Sequence, residues 1–192
     1  MNHLMIDLET MGANPNAPIA GIGAVFFEPS TGRTGERFYA RVDFASDMTS
    51  GAVADGDTIK WWMAQSSEAR AELVADFALP TSLALMQLNQ FIAANQFPAG
   101  RKYLRVWGNG AAFDNVILRA AYARAGAEVP WDWWHDLDVR TVVEMGRVLG
   151  YDPKRSNAFA GTRHNALDDA VFQAIYVSEL WQRMTTQPEA DL

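Results

Sequence analysis

A mixed α/β sheet with helices on both faces is the fold class this chain predicts, and three observations carry it. Residues 1–43 hold three strand-like patterns in succession, joined by short turn clusters. Beyond them, helical spacing alternates with short apolar runs, which implies parallel strands added to an antiparallel meander. The chain has 192 residues and 49% hydrophobic content, enough to bury one core. A single domain is expected over 1–184, followed by a polar tail over 185–192 that frays.

The elements follow in order. In "HLMIDLE", Leu4, Ile6 and Leu8 alternate with Met5, Asp7 and Glu9, the period-two signature of a strand. "APIAGIGAVFFEP" is apolar on both faces and suits a central strand; "STGRTG" is a turn cluster. "ERFYARVD" then sets Phe38, Ala40 and Val42 against Arg37, Tyr39 and Arg41, a half-exposed outer strand. Helical spacing runs from about Asp57 to Phe97, interrupted at Pro80. "KYLRVWG" reads as a short strand, "AFDNVILRAAYARAG" as a helix stopped by Gly126, "WWHDLDV" as another strand and "RTVVEMGRVLG" as a helix ending at Gly150. The last helix runs from about Ala166 to Arg183, with Ala170, Ala174, Val177 and Trp181 on one stripe. This order matches an RNase H-like layout.

Composition narrows the chemistry. No run approaches the roughly 18 apolar residues of a membrane span, and no export leader is recognisable, so no membrane partner and a cytoplasmic location are expected. The sequence has no cysteine and three histidines, so metal ligation would fall to Asp, Glu and His. A net charge of −7 argues against broad electrostatic capture of nucleic acid. Bound divalent cations would reverse the local sign, so phosphate substrates stay open.

Residues two apart on a strand project to the same side, about 6–7 Å apart, so Asp7 and Glu9 point together. A solvent-facing strand would explain them equally well if it stood alone. A first strand with meander partners and later crossovers lies centrally, however, and covered carboxylates need cations or donors. Asp114 opens a helix after a Gly-Asn-Gly turn, where an acid also suits the helix dipole. His164 stands five residues before Asp169 at another helix opening. There Asn165 and Asp168 resemble an N-cap and its partner, which leaves Asp169 without a structural role. Asp138 reads as a cap for the helix after it, and Asp136 with it is left out of the site. His3 and His135 read as structural.

Together these pieces resemble the DEDDh (DnaQ-like) family of 3′-to-5′ exonucleases. Asp7, Glu9 and Thr10 match its Asp-x-Glu-Thr motif, Asp114 in "FDNVILRAAY" its second, and His164 with Asp169 its His-x-x-x-x-Asp motif, all in family order. "TIKWWMAQSSEAR" and "WGNGAAFDNVILRAAY" bring the chain nearest to the short mycobacterial exoribonuclease-like and prophage exonuclease-VIII-like branch. The resemblance implies hydrolysis of phosphodiesters from the 3′ end of single-stranded DNA or RNA, releasing nucleoside 5′-monophosphates. It implies two divalent cations, Mg²⁺ or Mn²⁺, on Asp7, Glu9, Asp114 and Asp169, with Asp7 bridging and His164 as the base. Thr10, Met11 and Gly12 are expected to contact the terminal nucleotide, and a homodimer is compatible with the family.

Seven tryptophans invite base stacking, but packing explains most of them. Ile59, Trp62 and Met63 share a helical stripe, which places Trp62 in the core; Trp61 lies on the other side and is the one expected to meet substrate. Two further functions remain in view: a catalytically silent module that docks nucleic-acid ends or a repair complex, and an endonuclease on the same scaffold.

Overall fold

The computed structural model describes residues 1–74, 76–98 and 100–186. Three strands, β1 (His3–Thr10), β2 (Ile19–Glu28) and β3 (Arg33–Arg41), form the antiparallel meander, and β2 is buried from Ile19 through Phe27. Three short helices follow, α1 (Phe44–Thr49), α2 (Gly56–Met63) and α3 (Ser67–Leu73), and then the longer α4 (Thr81–Asn95). Next come β4 (Arg105–Gly108), α5 (Asp114–Arg124), β5 (Asp136–Asp138), α6 (Val139–Val148), α7 (Pro153–Ser156) and α8 (Ala166–Thr185). The sheet order is β3-β2-β1-β4-β5, with β4 parallel to both its neighbours. Among the described residues no helix is long and apolar enough to cross a membrane.

The pleat of β1 sorts the two cores. Leu4, Ile6 and Leu8 face Leu85, Leu88 and Ile92 of α4 and Ile117, Leu118 and Tyr122 of α5. Met5, one residue out of phase, faces Val139 and Val143 of α6 and Ala170, Ala174 and Val177 of α8. Each large apolar side chain so covered contributes roughly 1.5–3 kcal/mol. Because side chains alternate, Asp7 and Glu9 lie on the same side as Met5, where α8 begins. That approach needs a glycine: a Cβ on Gly23, the cross-strand partner of Asp7, would stand 2.1 Å from the backbone of Ala166.

Several boundaries differ from expectation. The helical stretch from 57 to 97 breaks at Ser66 as well as before Pro80, because Ser66 accepts the Ala69 N–H and caps a new helix. Only Asp136–Asp138 of "WWHDLDV" is strand; Trp133–His135 form a 3-10 turn. Between α6 and His164 lies the one-turn helix α7, begun by Asp152 capping the Lys154 N–H. Trp62 is buried as expected, whereas Ile59 and Met63 are exposed: the small cluster of Met11, Trp62 and Ala69 has room for one residue of that stripe. Helices α5 and α6 stop before Gly126 and Gly150, both at positive φ, as expected. Of the tail expected to fray, Thr185 closes α8, and 187–192 lie outside the described residues.

Candidate active site

The sheet delivers carboxylates to one place because β1 and β4 run parallel and end on the same side. At the end of β1 the register with β2 shifts between Glu9 and Thr10, a bulge of the kind that re-aims side chains at a sheet's rim. Just beyond β4, α5 opens with Asp114, buried and fixed by the Leu8 N–H, which donates to its Oδ1 at 3.2 Å. Across β2, the first turn of α8 brings Asp169. Asn165 caps that helix by accepting from the Leu167 and Asp168 N–H groups. Asp168 accepts from the Thr162 N–H and so pins the preceding loop, which agrees with its structural assignment.

Asp7, Glu9, Asp114, His164 and Asp169 line one open cavity of about 290 Å³. Glu9, His164 and Asp169 can each bring one donor atom within 4.8 Å of the others'. The electrostatics match this crowding. Burial, then the charges of Asp114, Glu9 and Asp169, hold Asp7 well above the usual carboxylate range, against a 2.7 Å hydrogen bond from Gln173 Nε2. Burial first, then Asp169 and Asp114, push Glu9 up to about 8. Burial also raises Asp114 to about 7, opposed by backbone N–H donors, and Asp169 is raised for the same first reason. Such a cluster costs free energy when ionised unless positive charge is supplied.

A divalent metal fits this donor set. Oxygen donors dominate it, as hard cations prefer. Two buried acceptors, Asn109 Oδ1 and Gln173 Oε1, belong to residues lining the same cavity and have no hydrogen-bond partner among the described residues. Each can accept from a metal-bound water.

His164 is held in an unusual way. Its φ is +62°, a left-handed conformation that costs a non-glycine residue about 1–3 kcal/mol and clusters at functional sites. Its N–H donates to Asp169 Oδ2 at 2.9 Å, so the base candidate and a ligand candidate are tied together. The ring meets Trp61 and Trp62 edge-on, at centroid distances of 5.0 and 6.1 Å. Trp62 Nε1 in turn donates to the Thr10 carbonyl at 2.9 Å, anchoring α2 to the end of β1.

The residues expected to touch a terminal nucleotide are placed as follows. Trp61 is 44% exposed and stands against His164. Thr10 is buried and its hydroxyl donates to the Gly12 carbonyl. Met11 is 8% exposed and packs beside Trp62 and Ala69. Gly12 is buried next to Asp55, which accepts from the Ala13 N–H. Asp138 caps α6 through Thr141 and also accepts from the Ala111 N–H, as its cap assignment requires. Asp136 is occupied by Asn115, Arg119 and Trp131. His3 accepts from Trp107 Nε1, and His135 is buried.

Besides Leu8, which was read as a core residue of its strand, four lining residues were missed in the sequence: Gln173, Asn109, Phe113 and Arg140. Gln173 had a signal, standing four residues after Asp169 on one helix face. Asn109 sits in the Gly-Asn-Gly turn, and Phe113 directly precedes Asp114. Arg140 carried none.

Comparison with known proteins adds the following. Residues 2–181 match the family model described as the 3′-5′ exoribonuclease Rv2179c-like domain. The exodeoxyribonuclease of Enterobacteria phage T4 is 26% identical over 164 residues, covering 75% of this chain and 71% of the phage protein. The nuclease domain of 3′hExo, a DEDDh family member bound to rAMP, is similar with a TM-score of 0.64 at 14% identity, over 94% of this chain and 92% of that one. The zinc-bound complex of E. coli ExoI with single-stranded DNA gives 0.62 at 16% identity, over 95% of this chain and 40% of that one.

Proposed function

Because the chain belongs to the Rv2179c-like 3′-5′ exoribonuclease domain family, we propose that it hydrolyses single-stranded nucleic acid from the 3′ end and releases nucleoside 5′-monophosphates. The fold is the α/β, RNase H-like fold of the DEDDh exonucleases, and the chain is a 3′-5′ exonuclease of that type. One observation carries the finer reading: the five residues Asp7, Glu9, Asp114, His164 and Asp169, from three distant segments, line one cavity.

Asp7, Glu9, Asp114 and Asp169 would hold a pair of divalent cations, Mg²⁺ or Mn²⁺, which when bound would neutralise charge at the phosphorus and lower the pKa of water. A ring nitrogen of His164 takes the proton of the attacking water, whose oxygen bonds to phosphorus as the bond to the 3′ oxygen of the penultimate nucleotide breaks. The mononucleotide leaves, and the shortened strand keeps a 3′ hydroxyl. Gln173 orients Asp7 and the Leu8 N–H orients Asp114, so neither carboxylate has to be positioned during the reaction. Thr10, Met11 and Gly12 frame the terminal nucleotide on the Trp61 side.

The family model is named for RNA and the phage relative for DNA, so both sugars belong to the proposal. Digestion of matched 5′-labelled DNA and RNA strands, with and without EDTA, tests it. A ladder shortening from the 3′ end only without chelator is expected. Undiminished cleavage in EDTA, or cutting of a circular single strand, would overturn it.

A further inference from the structure

The active-site cavity continues along the protein surface. Arg140, in the first turn of α6, borders it and also borders a second depression of about 450 Å³ with Thr141, Val143, Glu144, Arg147 and Lys154. Arg147 is shared in turn with a third depression, of about 560 Å³, lined by Tyr151, Asp152 and Arg155. Three neighbouring hollows, each sharing an arginine wall with the next, therefore run from the carboxylates along α6 to α7.

In the second and third hollows four cations face two carboxylates, in a chain whose net charge is −7. Arg147 pairs with Glu144 and Asp152, and Arg155 approaches Asp152 at 3.7 Å. Arg140 and Lys154 make no ion pair among the described residues. Desolvation and then the charges of Arg140 and Arg147 push the Lys154 ammonium below its usual value, against the charge of Asp152, so these cations are close enough to repel one another. Arg140 also acts on Asp114 and Asp138, yet neither Arg140 nor Lys154 is held by a carboxylate of its own, so an anion joining them would be stabilised. The Arg140 guanidinium also lies over the turn after β4, where a Cβ on Gly110 would stand 3.3 Å from Cζ.

We infer that Arg140 and Lys154, with Arg147 between them, form a track for the phosphodiester backbone of the strand 5′ to the scissile bond. The inference rests on the exonuclease reading above, because it takes the terminal nucleotide to sit at the carboxylates. Residues seven apart on a helix are about 10 Å apart along its axis. That is about three nucleotides at the stacked spacing of roughly 3.4 Å per strand. Spaced phosphates along a path of this length are a feature of an oligonucleotide that a free mononucleotide lacks. Contacts to phosphate alone carry no base preference, so the track would be indifferent to sequence.

The test compares a single strand of roughly 12 nucleotides with the p-nitrophenyl ester of thymidine 5′-monophosphate, which has no upstream backbone. Lys154 is exposed, so Lys154→Glu leaves the fold intact. The variant should hydrolyse the ester at the native rate but show a KM for the strand raised roughly fivefold, as for one exposed charge contact. Its dependence of log affinity on log salt should be shallower by about 0.7, and Lys154→Arg should restore both. Native KM and native salt dependence in an active Lys154→Glu chain would overturn the track. Hydrolysis of neither compound by the native protein would instead sink the exonuclease reading. Strand affinity by fluorescence anisotropy in the Asp7→Asn chain, with and without Lys154→Glu, then still decides the track: equal affinities reject it, a several-fold loss supports it.

Discussion

Trp61 meets the imidazole of His164 edge-on, with ring centroids 5.0 Å apart and planes at 87°. An aromatic contact of this geometry is worth about 0.5–1.5 kcal/mol beyond its buried area. At the upper end that is a tenfold bias in the population of one imidazole orientation. Trp61→Ala should therefore lower kcat by up to about tenfold with little change in KM, and Trp61→Phe should recover most of the loss. Steady-state kinetics on a short single strand separates the alternatives. A raised KM at native kcat would mean that Trp61 acts by stacking on the substrate instead.

The carboxylate cluster makes activity and stability oppose each other. Asp7, Glu9, Asp114 and Asp169 are all raised in the folded chain, to about 8 for Glu9 and about 7 for Asp114. Raised acids bind protons more tightly folded than unfolded. Their contribution is thus fully present below about pH 4 and lost as pH rises toward 8. In EDTA the native protein should melt lower at pH 8 than at pH 5, and Asp7→Asn should narrow that gap, each kcal/mol reading as about 2–4 °C in Tm. Mn²⁺ at pH 8 should raise the native Tm more than that of the variant, because ligation favours the ionised form. The same variant should lose roughly 10² to 10³ in kcat through lost charge stabilisation.

What the sequence disclosed about this site was local. Asp7 and Glu9 were legible because a strand repeats every two residues, and His164 with Asp169 because both fall at a single helix opening. Arg140 was not, since it reaches the cavity only because β4 and β5 are parallel neighbours, which sets the turn after β4 beside the start of α6. Helix α1 was missed for a related reason. "FASDMT" is rich in residues that favour caps and turns, and Asp47 within it is held by Arg124, 77 residues away. The Ile59-Trp62-Met63 stripe shows the reverse error: spacing marks a face, but the surface opposite decides how much of it is covered.

His3 gives a pH response of opposite sign, away from the carboxylates. Burial, against the charge of Glu28, holds its pKa down to about 4, and its Nδ1 accepts from Trp107 Nε1 at 2.9 Å among the rings of Phe27, Trp107 and Trp181. The unfolded chain takes up this proton near pH 6.5 and the folded chain only near 4, so the contribution present above about 6.5 is lost as pH falls toward 4. His3→Gln, which keeps an acceptor for Trp107, should remove about 2 kcal/mol of the acid-induced loss. Urea melts of both proteins at pH 7 and 4.5 would show it, and parallel losses would reject the assignment.

The pair Arg124–Asp47 tests whether fold and site can be separated. Arg124 Nη2 lies 2.8 Å from Asp47 Oδ2, with the side chains 10% and 1% exposed, and Asp47 also accepts from the Ile19 N–H. This links α1 and α5 to the start of β2, next to a pocket lined by Ser46, Ser50 and Thr81 and by none of the residues that line the carboxylate cavity. Removing one partner of a buried pair strands the other charge, which costs about 3–5 kcal/mol. Arg124→Ala should accordingly lower Tm by roughly 6–20 °C. Asp47→Asn combined with Arg124→Gln should lose less, because neither charge is then left buried alone. In both proteins kcat measured well below the transition should stay near native, since the end of β1 and the openings of α5 and α8 keep their own contacts. A fall in kcat that tracks the loss in Tm would mean instead that the carboxylate geometry depends on how α1 docks.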